Sequence, residues 1–218
     1  ELSLRIRMIP MRKLWSNRIL LAALMLGVPS IAMLQAAETA SSFKLDESSF
    51  RCMREMTPVR HFYVDNLAGN LEGTLAVANA PEGKTYPTGS VVQLVPTEVM
   101  VKRDPGFSPV TGDWEFFELE VSENGSKIHK RGFADVNNRF DKNCFGCHVP
   151  AREKWDFICE EGHGCEPIPI THAMTGALQR SDPRCGEPAL QSGDSWQLFK
   201  LKSMVAIGGL IKTVEGWF

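Results

Sequence analysis

A chain of 218 residues, 43% hydrophobic and 23% charged, is too apolar to stay disordered and long enough to bury one substantial core. Its formal net charge of −2, spread without any Lys/Arg cluster, offers no electrostatic footprint for nucleic acid.

Residues 1–40 stand apart from the rest. Arg12, Lys13 and Arg18 precede the apolar run ILLAALMLGV (19–28), and Pro29 and a stretch of small residues follow, the order of a secretory signal peptide with Met11 as its natural start. The run is shorter than the roughly 20 residues a spanning helix needs. An exported chain, expected in the periplasm, meets oxidising conditions in which disulfides persist. From position 41 onward 19 basic residues face 24 acidic ones, so the exported part carries a net charge of about −5.

Residues 43–56 (FKLDESSFRCMREM) place Phe50, Met53 and Met56 as one apolar face of a short amphipathic helix that Pro58 ends. Strand patterns then take over. VRHFYV (59–64), SVVQLV (90–95), EVMV (98–101) and WEFFELEV (114–121) are rich in β-branched and aromatic residues, with Pro/Gly/Asp turns between them. Asn124-Gly125 joins WEFFELEV to KIHKRGF (127–133) as a hairpin, and this turn role outweighs the formal glycosylation sequon at Asn124. Closely spaced strands predict an antiparallel sheet. THAMTGALQR (171–180) reads as a short helix, and the apolar stretch 203–218 is too short to span a bilayer and is expected to dock on the protein. The fold class is therefore α+β, a mainly antiparallel β-sheet with flanking short helices. Its core spans residues 41–158, with a cysteine-rich extension and apolar tail over 159–218.

Six cysteines need an assignment. Cys144 and Cys147 with His148 form C-x-x-C-H, a pattern expected by chance on the order of once in three hundred chains of this Cys and His content. A thioredoxin-type redox pair wants a βαβ setting that the pattern lacks, and a structural zinc site wants a second ligand pair at zinc-like spacing. The third chemistry is covalent haem c, in which both thiols add to the vinyl groups and His148 becomes an axial ligand of the iron. It fits the spacing and the export signal, and it predicts one haem attached near the end of the core fold. The remaining four are even in number. Cys159 and Cys165 flank EEGHG, whose glycines allow a tight reversal, which leaves Cys52 with Cys185; three pairings, and free thiols, stay open.

About a hundred residues of mostly strand character precede the motif, which is not the layout of a small helical electron carrier. Four stretches in order, PVRHFYVD (58–65), YPTGSVV (86–92), TGDWEFF (111–117) and CFGCH followed by WDF (144–148 and 155–157), resemble the cytochrome P-460 family. They span residues 50 to 158, about half of the chain. The resemblance implies a haem with an open distal side that binds or oxidises small nitrogen species such as nitric oxide or hydroxylamine, and pairing as a homodimer. In hydroxylamine-oxidising members a lysine on the strand after the Gly-Ser/Thr turn is cross-linked to the porphyrin. Leu94 stands nearest to that place, no lysine occurs from 85 to 101, and Lys84 lies before the turn in a Pro/Gly-rich loop. An apolar distal face is similar to that of the gas-binding β-type cytochromes c-prime. Arg60 matches a distal arginine of the family and, if the strand alternates, shares a face with Phe62 and Val64, whereas His61 faces away. Glu115 and Glu118 are carboxylates without a mark of direction.

Three functions follow as expectations. The first is an open-sided haem that binds or converts NO or hydroxylamine, with little hydroxylamine turnover in the absence of the lysine. The second is an electron carrier closed by a methionine, drawn from Met53, Met56, Met100, Met174 or Met204 and serving a redox partner protein. The third is a haem-bearing subunit that docks through 159–190 and the tail.

Overall fold

A computed structural model describes residues 42–215, with side chains as far as residue 206; the expected signal segment lies outside the described residues. The described residues belong to one compact unit, so the extension packs with the sheet rather than as a separate body. The sheet is an antiparallel meander in sequence order: β1 (Thr57–Val59), β2 (Phe62–Asn66), β3 (Ser90–Val95), β4 (Glu98–Lys102), β5 (Trp114–Ser122) and β6 (Gly125–Gly132). The Asn124-Gly125 hairpin forms as expected, pairing Ser122 with Gly125.

Alternation along the strands gives the sheet two buried faces. Phe62, Val64, Val92, Met100, Trp114 and Phe116 build the core on one side. Val91, Val99, Val101, Phe117 and Leu119 meet Phe43, Phe50 and Met56 on the other. With both faces covered, β3 reads as the nearly continuous apolar run SVVQLV rather than a clean alternation.

Three elements differ from expectation. The stretch 43–56 is not an amphipathic helix but two 3-10 turns, Glu47–Ser49 and Met53–Glu55. Tertiary partners take the place of helical bonds there: the Met53 N–H donates to the buried Asp182 carboxylate at 3.0 Å, and Arg54 donates to the carbonyls of Cys185 and Glu187. Phe50, Met53 and Met56 are nonetheless buried. Second, VRHFYV is not one strand. Arg60 and His61 turn between β1 and β2, and Arg60 sits in the left-handed region with φ of 51°. Third, a helix absent from the sequence reading, α1 (Leu71–Ala78), starts at Asn70, whose side chain accepts from the Gly73 N–H.

Beyond the sheet come the short helices α2 (Cys144–His148) and α3 (Arg152–Trp155), then α4 (His172–Arg180), the helix expected over 171–180, and α5 (Asp194–Glu215). Leu201 and Val205 of α5 line a small apolar cavity with Leu178 and Pro183, so α5 is docked that far; side chains beyond 206 lie outside the described residues. Among the described residues no helix is long and apolar enough to cross a membrane.

Cys52 bonds Cys185, and Cys159 bonds Cys165, the pairs favoured by spacing. The first closes a span of 133 residues and the second a span of 6. Replacing Cys52 and Cys185 together by serine is expected to cost about 2–5 kcal/mol, and the same change at Cys159 and Cys165 less, because the longer loop restrains the unfolded chain more. Urea midpoints of the two double variants check that order.

Candidate functional site

The C-x-x-C-H segment begins where the chain leaves β6. Asn143 caps α2 by accepting from the Gly146 N–H at 2.8 Å, and its amide reaches the carbonyls of Phe133, Ala134 and Val136 at 3.0 to 3.3 Å. The Cys144 N–H also donates to the Val136 carbonyl. One helical turn is thus clamped to the preceding loop, and its i, i+3 spacing sets Cys144 and Cys147 on one face.

That face opens onto a cavity of about 500 Å3. Its floor is the sheet: Phe62 of β2, Val92 and Leu94 of β3, Met100 of β4 and Phe116 of β5. Cys144, Cys147 and His148 form one wall. Its polar lining comes from His61 in the β1–β2 turn, Glu98 at the start of β4, and residues of the extension between Cys159 and Thr175, among them Glu160, Glu161 and His172.

His148 is oriented by its backbone surroundings. Its Nδ1 lies 2.6 Å from the Phe157 carbonyl, which can only accept, so Nδ1 carries the proton and Nε2 keeps its lone pair. The ring meets Phe116 edge-on at 5.5 Å. Burial holds its pKa below the ordinary histidine value, against the opposing Phe157 bond, so the neutral form prevails. Cys144 and Cys147 are unbonded and half-buried. Burial, followed by the nearby Glu98 and Glu118, pushes the Cys144 thiol up to about 12, and burial raises Cys147 as well. Reactive redox thiols have lowered pKa values instead, so the pair lacks the electrostatics of an oxidoreductase. Among the described residues no three His, Cys, Asp or Glu side chains converge as metal ligands.

The residues present fit a c-type haem. Two unbonded thiols and an imidazole with a free Nε2 sit at one wall of an apolar-floored cavity, within the ~300–1,000 Å3 of sites that bury small organic groups. No protein-family model, curated protein or solved structure matches the chain.

The other residues singled out from sequence divide clearly. Leu94 faces the cavity, as the register of β3 expects. Lys84 is exposed and lines a separate shallow cleft with Glu82 and Arg152. Arg60 does not share a strand face with Phe62 and Val64. The turn swings it onto the Glu160 carboxylate, with Nε at 2.6 Å, and onto the Ala78 carbonyl at 2.8 Å. Its guanidinium is committed to protein acceptors rather than offered to a ligand. His61, expected to face away, lines the cavity instead. Glu115 points to the opposite side of the sheet, buried between Arg103 and Arg131. Glu118 pairs with Lys130 at 3.7 Å. Of the methionines named above, Met53, Met56 and Met174 are buried core residues, and only Met100 lines the cavity.

Sequence reasoning missed Glu98. Lying opposite Glu118 in the β4–β5 register, on the same alternation as Met100, it could have been placed once that register was known. Burial raises its carboxyl to about 6, with the Arg139 N–H bond opposing. A carboxyl raised above its unfolded value stabilises the fold below the unfolded pKa, and that contribution is lost as pH rises through about 6. Glu98→Gln is therefore expected to raise stability by roughly 2 kcal/mol at pH 8 and to leave it unchanged at pH 4. Denaturant midpoints at the two pH values check the sign; an equal gain at both would show that Glu98 is not held up by burial.

Proposed function

We propose that the chain is an exported mono-haem c-type cytochrome of the cytochrome P-460 type, whose haem keeps an open distal side for small nitrogen species such as nitric oxide or hydroxylamine. The observation that carries this reading is the His148 ring, with Nδ1 held by the Phe157 carbonyl and both motif thiols unbonded beside the same cavity. Haem, when bound, supplies an iron that takes up a small ligand and changes oxidation state. Cys144 and Cys147 fix the group covalently, Asn143 holds their turn in place, and Phe157 fixes the His148 tautomer. Phe62, Leu94 and Phe116 keep water from the floor of the cavity.

Leu94 stands where hydroxylamine-oxidising relatives carry a cross-linking lysine, and exposed Lys84 belongs to another cleft. Ligand binding is therefore the main activity, and hydroxylamine oxidation a slow one. Met100 on the cavity floor supports a second reading, an electron carrier in which that thioether closes the sixth position and a redox partner protein takes the electron.

The absorption spectrum of the ferrous protein separates the two. An open site gives a high-spin ferrous form whose spectrum changes fully on adding carbon monoxide, whereas ligation by Met100 gives a low-spin form that refuses it. Cys144→Ser with Cys147→Ser is expected to release the haem on acid–acetone extraction, while the wild type retains it. Retention by the double variant, or an exported protein that carries no haem, overturns the assignment.

A further inference from the structure

His61 and His172 lie far apart in sequence yet stack face to face, with ring centroids 4.5 Å apart and planes 18° from parallel. Both line the cavity that holds Cys144, Cys147 and His148. Their exposure differs: His61 is half-buried at the cavity rim, and His172 is open to solvent. Among the described residues neither ring has a hydrogen-bond partner. The Nδ1 atoms of His148 and His163, by contrast, are both taken by carbonyls.

The stack is built rather than incidental. Gln179 of α4, 7% exposed, donates from Nε2 to the His61 carbonyl and to the Leu94 carbonyl, both at 2.8 Å. One buried amide thus fastens α4 to the β1–β2 turn and to β3 together. Thr171 caps the same helix by accepting from the Met174 N–H, which fixes His172 as the first residue of α4.

We propose that the His61 imidazole is the protonatable hydrogen-bonding partner of the small ligand held in the cavity, with the stacked His172 ring acting on it as a second positive charge. The inference rests on the open-sided haem reading. Stacked imidazoles keep their N–H bonds in their own planes, so the two rings act on each other by charge and packing and each keeps its nitrogens free for a ligand or solvent. A polar partner for the ligand has to come from the rim, because the floor contributed by Phe62, Val92, Leu94, Met100 and Phe116 carries no hydrogen-bond donor. The charged groups acting on His61 are His172 and Arg60, which disfavour its protonation, and Glu160 and Glu161, which favour it; burial is the largest effect and sets its pKa below the ordinary value. His61 is then neutral at pH 7 and takes up a proton as the medium acidifies.

The test is the C–O stretching band of the ferrous carbon monoxide complex of the full exported protein, followed from about pH 8 to about pH 5. The wild-type band is expected to move to lower frequency with a midpoint below about 6.5, as a protonated His61 donates to the bound ligand. His61→Phe and His61→Asn are each expected to abolish that movement. His172→Phe is expected to raise its midpoint, because the second imidazole no longer opposes protonation. A wild-type band that is independent of pH, or a titration that survives in either His61 variant, overturns this role of His61 and leaves the open site standing. A low-spin ferrous protein that refuses carbon monoxide overturns both.

Discussion

The architecture of the site depends on the chain reversal at Asp156 and Phe157. Both residues occupy the left-handed region, with φ of 47° and 66°, where a non-glycine side chain costs on the order of 1–2 kcal/mol. What the reversal secures explains why it persists. It sends the Asp156 carboxylate into the interior against Lys102 Nζ, at 2.7 and 2.8 Å, and onto the Tyr86 N–H at 2.8 Å. It sends the next carbonyl, that of Phe157, onto His148. Lys102 belongs to β4, Tyr86 to the loop before β3, and His148 to α2. Two consecutive residues thereby fix the wall of the cavity to its floor. The Phe157 ring occupies the space beside Gly112, where an added Cβ would lie 2.8 Å from it. Gly112 is itself left-handed, so the close approach and the backbone both call for glycine. Lys102 and Asp156 are each about nine-tenths buried, and removing either partner would leave the other a buried charge without its counter-ion.

Around that fixed wall, polarity is distributed by secondary structure. Strand residues facing the cavity are apolar because alternation gives one side of each strand to the core. Polar groups enter only where the strand pattern stops: His61 in a turn, Glu98 at a strand start, Glu160 and Glu161 in the segment stapled by Cys159 and Cys165. The result is an apolar floor beneath a polar rim. The rim is not simply acidic, since Arg60 is bonded to Glu160 there. Burial and the carboxylates of Glu98 and Glu118 favour the protonated Cys144 thiol, the form less prone to disulfide exchange.

Much of this fold was legible because turn chemistry and strand composition reinforced each other. Asn124-Gly125, the Pro/Gly-rich turn before β3 and the aromatic run of β5 each predict locally what tertiary structure also requires. Where the two diverged, the sequence misled. VRHFYV has unbroken strand composition, and nothing in Arg60-His61 marks a turn, because the signal residues Gly, Asn, Asp and Pro are all missing there. One misplaced turn then inverted the reading of both residues, placing Arg60 on Glu160 and His61 at the cavity. The stretch 43–56 went astray for another reason. Its Met53 N–H is claimed by Asp182 and its Cys52 by Cys185, more than a hundred positions later, and no periodicity in a local window can register that. Cys144, Cys147 and His148 were legible as a group because their spacing is itself a local signature, whereas Gln179 and Glu98 carry none.

The extension is where fold and function separate. Residues 58–157 supply the floor of the cavity, the two unbonded thiols and His148. The segment from Cys159 to Thr175 supplies much of the rim and is held at several points along its length. Ile158 is buried at its start, Glu160 is bonded to Arg60, the short disulfide closes its first loop, and Gln179 fastens the helix that follows. Arg180 is in turn bonded twice to the buried Asp194 at 2.7 Å, which ties α4 to the start of α5. A rim restrained in this way holds a fixed shape, so what it admits is decided by its side chains rather than by opening and closing. Two proteins could therefore share the sheet and the C-x-x-C-H turn while differing in what the cavity admits, through residues of the extension alone. On that argument the side chains that tune this cavity are those of its extension and of the turn at His61, more than the apolar strand residues of its floor.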